Sequence, residues 1–335
     1  MVPKQDATRK AAFGTLGRRR HIVMRLPLPS RVLNKGIKTI APYINDTLPQ
    51  KNIFIFSDPR GGSTWLAKIL KDALGYPVLW EPLYLRDKQN SAFKRLGFGW
   101  RQEIPVCAEW PEAYDAFDRI FRGKVLTNWT TTMSTPIEFI LNDWQICKFC
   151  RANGMAQWLK KNFQPDLTPI ILFRHPFSVA ASQLKHGSWA GMPAGFDIPK
   201  MPFNERYRKH SRFLSTLSSQ PERSVAQWCL TNGPLLETQE KDDFIVIFYE
   251  RLLHNPAKEL ESAFGKWGVD IEVDFTEIAK RPSRTVISTD SVRDVEEQLS
   301  KWTVFFDKET IFSLVNILEY FEIPFYSERI WPSLP

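Results

Sequence analysis

At 335 residues, 43% of them hydrophobic and with 24 Phe and 12 Trp, the chain can bury a sizeable core. No run reaches the ~18 consecutive apolar residues that a membrane-crossing helix needs, and nothing in the four cysteines suggests a disulfide scaffold. The net charge of +8 sits in one place: residues 1–40 hold ten Lys/Arg against the single acid Asp6, and the remainder nets −1. That balance argues against a nucleic-acid-binding body.

In chain order, residues 1–48 read as a basic, solvated leader. The leader could instead touch anionic lipid or a partner, and its Arg-rich, acid-poor composition also suits an organelle transit peptide; it lacks the apolar segment of a secretory signal. Asn52-Ile-Phe-Ile-Phe-Ser57 is a short apolar run of β-formers, which predicts a buried strand. Asp58-Pro-Arg-Gly-Gly62 then breaks regular structure. Ser63 or Thr64 caps a helix with the apolar face Trp65, Leu66, Ile69, Leu70 and Leu74. Tyr76 to Pro82 is a second strand ended by Pro82. Residues 85–110 mix Gly, aromatics and charge without period and read as an insertion. Pro111 to Phe121 predicts a helix, Lys124 to Asn128 a third strand, and Pro136 to Asn162 one long helix that contains Cys147 and Cys150. Those two thiols, with Cys107 and Cys229, read as buried or unreactive rather than as a zinc or redox site. Thr168 to Arg174 is a fourth strand, followed by a helix from Pro176. Residues 187–204 form a Gly/Pro-rich apolar loop. Helices over 205–218 and 222–240 precede a fifth strand, Asp243 to Glu250. Helices over 256–267 and 308–320 follow, with an irregular polar stretch near 281–292.

Short strands alternating with helices predict an α/β, three-layer architecture: a central, mainly parallel five-stranded sheet flanked by helices. Residues 49–325 form one domain, with a tail over 326–335. Ligands of such sheets lie beyond the C-terminal strand ends. Here those ends carry Asp58-Pro-Arg60, Glu81, Asn128, Arg174 and Tyr249-Glu250.

The strand–turn–helix at 52–74 is suited to hold an anion. Free N–H groups and the positive helix end converge, two glycines admit close approach, Arg60 adds a cation, and Ser63 and Thr64 add hydroxyls. A plain strand-to-helix turn would look similar. The triphosphate pattern Gly-x-x-x-x-Gly-Lys-Ser/Thr is absent, since Ser57 stands for its first Gly and Ser63 for its Lys. A second anion grip is Arg174 with Ser182, about two helical turns on. Its bland counterpart is an Arg capping a sheet end and a Ser packed among alanines.

Together the segments resemble a known family. Pro59-Arg-Gly-Gly-Ser-Thr-Trp65 resembles the 5′-phosphosulfate loop of sulfotransferases. Arg174-His-Pro-Phe-Ser-Val-Ala-Ala-Ser182 resembles their 3′-phosphate segment, and Phe248-Tyr-Glu-Arg-Leu-Leu-His-Asn-Pro256 their segment after the last core strand. The three occur in the family's order. The resemblance implies a P-loop-like sulfotransferase architecture and transfer of a sulfuryl group from 3′-phosphoadenosine 5′-phosphosulfate (PAPS) to a hydroxyl of a sugar, lipid or small molecule, leaving 3′,5′-adenosine bisphosphate.

It implies that Arg60, Gly61, Gly62, Ser63 and Thr64 hold the 5′ end, with Trp65 near the adenine. Arg174 and Ser182 would take the 3′-phosphate, with Ser283 and Arg284 closing over it. Cytosolic members carry a His just after the third strand, where Asn128 falls here. Leu79-Trp-Glu-Pro-Leu83 resembles the Glu-Pro-Leu segment of carbohydrate-modifying members and makes Glu81 the expected base, its pKa raised by burial among Trp80 and Tyr84; an exposed strand-end carboxylate, or a salt bridge to Arg60 or Arg174, is the other reading of Glu81. Arg60 stands where many members have Lys and would stabilise charge without donating a proton. The chemistry requires no metal, because the bisphosphate is already a good leaving group. A soluble, cytoplasmic enzyme is expected. Other readings are a P-loop kinase, or a non-catalytic member that binds a partner through residues 187–204 and the leader.

Overall fold

The computed structural model describes residues 36, 51–87, 91–186, 196, 198–237, 243–269, 273–279 and 294–333. The basic leader apart from residue 36, most of the loop 187–204, and both Ser283 and Arg284 lie outside the described residues.

Five strands form one sheet: β1 (Lys51–Ser57), β2 (Val78–Trp80), β3 (Trp144–Phe149), β4 (Ile170–Phe173) and β5 (Ile245–Phe248). They are hydrogen-bonded in the order β2-β3-β1-β4-β5, and every pairing is parallel. β1 is central, and its side chains alternate between two cores. Ile53 and Ile55 pack with Leu66, Leu70, Ile170 and Leu172 on the face covered by the helices Ser63–Leu74 and Pro256–Trp267. Phe54 and Phe56 pack with Phe149, Phe117, Trp158 and Phe173 on the opposite face, under the helices Pro111–Phe121, Ala156–Phe163, Pro176–Lys185 and Gln220–Glu237. This is the three-layer α/β arrangement expected. Chain order reverses across β1: β2 and β3 lie to one side, β4 and β5 to the other. The crevice beyond the C-terminal ends of β1 and β4 is therefore the switch point, where open parallel sheets bind ligands.

The structure corrects several of the expected elements, and the fifth strand ends at Phe248, with Tyr249 and Glu250 opening the short helix Tyr249–His254. The third strand is not Lys124 to Asn128. Residues 127–134 are mostly turns, because the Thr-rich stretch satisfies its own backbone: Thr127 N–H donates to Thr130 Oγ1 at 2.8 Å, and Thr130 N–H to Thr127 Oγ1 at 3.0 Å. Hydroxyls that bond locally compete with a strand ladder. Nor is Pro136 to Asn162 one helix. A short helix, Pro136–Leu141, gives way to β3, then to a 3₁₀ turn at Asn153–Met155, then to the helix Ala156–Phe163. β3 is buried on both faces from Gln145 to Phe149, so its side chains show no alternation, and periodicity cannot separate such a strand from a buried helix.

The expected helices at 111–121, 256–267 and 308–320 are present over those spans. The one expected over 205–218 is two short pieces, Glu205–Lys209 and Ser211–Leu214. A helix with no sequence assignment, Val295–Phe305, starts from Asp294, whose carboxylate accepts the Glu296 N–H at 3.2 Å. The insertion 85–110 is anchored by Phe93, Phe98 and Ile104 in the aromatic core. The last residues also pack inward: Tyr326 is buried, and its hydroxyl donates to Glu250 Oε2 at 3.2 Å.

Candidate active site

The loop after β1 is fixed from below. Asp58 is 3% exposed, accepts from Asn232 of the helix Gln220–Glu237 and pairs with Arg101 of the insertion. Gly61 N–H donates to Asp58 O at 2.9 Å, closing the turn. Arg60 and Gly62 both take left-handed backbone, with φ of 72° and 97°. Gly62 stands at the N-cap, just before the helix Ser63–Leu74, and no side chain caps that helix. Ser63 therefore does not cap as expected; its buried hydroxyl lies 3.2 Å from Cys150 Sγ. A Cβ on Gly62 would run into the Tyr249 ring. Gly62→Ala combines a strained φ with an overpacked contact and is expected to cost about 3 kcal/mol, read by denaturant unfolding. A loss below about 0.5 kcal/mol would mean the loop relaxes freely.

The two anion grips, 122 residues apart in sequence, meet in this crevice. Arg60 Nε donates to Ser182 Oγ at 3.0 Å. Arg174 Nη1 donates to Arg60 O at 3.0 Å, and its guanidinium lies 4.5 Å from the Tyr249 ring centre. Gln183 Nε2 donates to Pro59 O at 3.0 Å, so the helix Pro176–Lys185 docks directly on the loop. Arg174 Nε is buried with no partner among the described residues. Burial, then Arg174, lowers the Arg60 pKa. Guanidinium remains charged under such shifts, so two cations face each other without a carboxylate between them among the described residues. Trp65 is half-buried at the rim. Its Nε1 donates to Ala279 O at 3.1 Å, and its ring meets Tyr249 edge-on at 5.9 Å.

Glu81 departs from expectation. It sits at φ 37° just past β2, and it pairs with neither Arg60 nor Arg174 among the described residues. Lys148 Nζ reaches its Oε1 at 2.8 Å and Arg151 Nη1 its Oε2 at 2.6 Å. Burial acts to raise its pKa as expected, but Lys148 and Arg151 outweigh it and hold the carboxyl down at about 2. Lys148 is 1% exposed and lies 3.9 Å over the Trp80 ring. Burial disfavours its charge, and Cys150 and Glu81 more than restore it.

The corrected third strand also moves the place just after it. Cys150 and Arg151 stand there, and Asn128 does not. Cys150 is a buried thiol whose pKa burial raises. Lys148, Arg151, Arg101 and Asn232 were missed in the sequence. For the first two, the usable signal was a short apolar run, Trp144 to Phe149, interrupted by one Lys and followed by a second cation.

His175 is a support of the grip. Its Nδ1 accepts the Phe177 N–H at 3.2 Å, and its Nε2 faces the carbonyls of Ser327 and Arg329 at 3.2 and 3.0 Å. The backbone N–H of His175 donates to Oε1 of buried Glu250 at 2.8 Å. Burial pushes the His175 pKa down to about 3. In the unfolded chain the ring protonates near 6.5. Stability is therefore full above that pH and is lost as pH falls, by about 2 kcal/mol at pH 5. Glu250 has the opposite sign, because burial raises its pKa. The expected result is that His175→Gln flattens the fall between pH 6.5 and 5 that the parent shows in urea unfolding. Parallel curves would remove His175 as its source.

Cys147 and Cys229 are buried and Cys107 is exposed, all as free thiols. Among the described residues no cluster of His, Cys, Asp and Glu could hold a metal ion, and no helix is long and apolar enough to cross a membrane.

No protein-family model and no curated protein matches the chain. Among solved structures it is similar to the sulfotransferase domain from the curacin biosynthetic pathway, at 19% identity and TM-score 0.43, covering 82% of this chain and 98% of that one. It is also similar to the sulfotransferase domain of the Synechococcus PCC 7002 olefin synthase, at 17% identity and TM-score 0.41, covering 85% and 96%. A mouse sulfotransferase complexed with PAP matches at 15% identity and TM-score 0.42, covering 84% and 88%.

Proposed function

We propose that this chain is a PAPS-dependent sulfotransferase acting on a hydroxyl. The observation that carries the reading is the convergence of Arg60, Ser182 and Arg174, with Arg60 Nε 3.0 Å from Ser182 Oγ, Arg174 Nη1 3.0 Å from Arg60 O, and an unpartnered buried Nε on Arg174. A nucleotide with two separated anionic ends suits such a cation pair, because it neutralises both guanidiniums and supplies the acceptor Arg174 Nε lacks.

In this reading Arg60, Gly61, Gly62, Ser63 and Thr64 hold the phosphosulfate end at the helix N-terminus. Arg174 and Ser182 hold the 3′-phosphate, Trp65 lies by the base, and Ser283 with Arg284 completes the 3′ site. Residues 49–325 act as one unit, with 85–110 and 187–204 on the acceptor side. The acceptor oxygen forms a bond to sulfur as the bond from sulfur to the phosphate oxygen breaks. The bisphosphate keeps that electron pair, and the acceptor loses its proton. Positioning and electrostatics dominate such transfers, as in phosphoryl transfer. Arg60 offsets charge on the leaving oxygen.

Glu81, ionised and weakly basic, takes the proton late. The hydroxyl becomes strongly acidic once its oxygen bonds to sulfur, so a weak base is sufficient. Lys148 and Arg151 keep the carboxylate charged and aimed.

Calorimetry with 3′,5′-adenosine bisphosphate, followed by transfer from labelled PAPS to acceptor pools, tests the reading. Bisphosphate should bind more tightly than Mg-ATP; the reverse order would favour a kinase. Tight bisphosphate binding with no transfer to any pool would leave a binding protein.

A further inference from the structure

Beside the loop, at the ends of β2 and β3, lies a group of rings and cations that the donor site does not use. Tyr84 stacks on Trp129 at 4.1 Å with the planes 19° apart, and Trp100 tilts against Tyr84 at 5.8 Å. The Arg151 guanidinium lies 5.0 Å from the Trp100 ring centre and 5.5 Å from that of Tyr84. Arg86 lies 5.7 Å from the Trp100 ring. Trp100 is 41% exposed, a large apolar surface to leave in water.

The group is tied to the reaction centre on two sides. Trp129 Nε1 donates to Glu81 O at 3.3 Å, and Tyr84 N–H to the same carbonyl at 3.0 Å. Arg101, next in the chain to Trp100, pairs with Asp58 of the loop.

We infer that this platform is the acceptor subsite and that it selects a hydroxyl compound which is itself an anion: a carboxylate or similar group beside a flat or CH-rich face. The inference rests on the sulfotransferase reading for the identity of the reaction, and on the platform for the class of acceptor. The exposed part of the Trp100 ring takes the flat side of the acceptor. A guanidinium stacked on a ring engages its face and leaves its edge N–H groups free to donate to an anion. Among the described residues Arg151 has one acid partner, Glu81. Among the described residues no carboxylate pairs with Arg86, so its charge is available to the acceptor. The acceptor's anion on Arg86 and its ring on Trp100 together fix which hydroxyl points toward Glu81.

Two matched pairs of probes separate the sources of such an acceptor. One is para-hydroxybenzoate against para-hydroxybenzyl alcohol; the other is a glucuronate-terminated disaccharide against its glucose-terminated counterpart. Binding is read by calorimetry on the full chain with saturating 3′,5′-adenosine bisphosphate. The acid of at least one pair should bind about ten-fold more tightly than its neutral partner, the size of one charge-assisted hydrogen bond. Arg86→Ala should erase that preference and keep bisphosphate binding, while Trp100→Ala weakens acid and neutral probe alike. Neutral probes binding as tightly as the acids, an acid preference that survives Arg86→Ala, or no binding of any probe overturns the inference. Acid binding that depends on Arg86 in a protein that does not bind the bisphosphate would keep the subsite and remove the sulfotransferase reading. Bisphosphate binding with no acid preference would do the opposite.

Discussion

Arg174→Ala loses 3′,5′-adenosine bisphosphate binding by a factor of about 100 or more, the roughly 3 kcal/mol expected when one side of a charge-assisted anion contact is removed. The same substitution leaves the fold intact. Arg174 lies against Arg60 with no acid between them among the described residues, and burial and Arg174 both lower the Arg60 pKa. Removing one of two facing guanidiniums relieves repulsion. It also removes a buried Nε that has no acceptor among the described residues. Against these gains stand the 3.0 Å bond to Arg60 O, the contact with the Tyr249 ring at 4.5 Å and the favourable charge interaction with Glu250. Gains and losses of this size largely offset, so thermal stability should stay close to the parent's while binding falls, the signature of a residue kept for function. Arg174→Lys keeps the charge but not the fork, and should recover only part of the affinity. Calorimetry and a melting curve on the three proteins check this. Equal falls in stability and affinity would make Arg174 a structural residue and remove the main support for a nucleotide site.

The parts of this site that were legible in the sequence are local runs. The stretch from Asn52 to Leu74 carries its own strand, turn and helix signals within 23 residues. Arg174 and Ser182 are joined by a single helix. What was not legible depends on partners far along the chain. Asp58 reads as a turn residue, yet its burial is made possible by Arg101 and Asn232, 43 and 174 residues away. Glu81 was placed correctly at a strand end, and its burial was anticipated. The sign of its pKa shift was not, because Lys148 and Arg151 lay in a segment read as helix. β3 itself was hidden by its position, since burial on both faces removes the alternation by which strands are found. The Thr-rich stretch before it has strand composition but turns on its own hydroxyls.

Glu81→Gln lowers turnover by about 100-fold to 10,000-fold, the range for loss of a positioned proton acceptor, while bisphosphate affinity stays within a factor of about two. The difficulty is that Glu81 also neutralises Lys148, which is 1% exposed, and Arg151. An amide there leaves a buried ammonium without a counter-charge, at a cost of about 3 kcal/mol or more. Slow turnover alone would not separate the two roles. The pair Glu81→Gln with Lys148→Met does, because it removes the stranded charge and fills its volume with an apolar chain. The double variant should regain most of the lost stability in denaturant unfolding and none of the lost turnover. The pH dependence gives a second line of evidence. With the Glu81 carboxyl held at about 2 and ionised throughout the working range, the parent's turnover should show no acid limb near pH 4 to 5, where an ordinary glutamate base would produce one. Recovery of turnover in the double variant, or an acid limb in that range, would mean that Glu81 serves the site only as the counter-charge of Lys148 and Arg151.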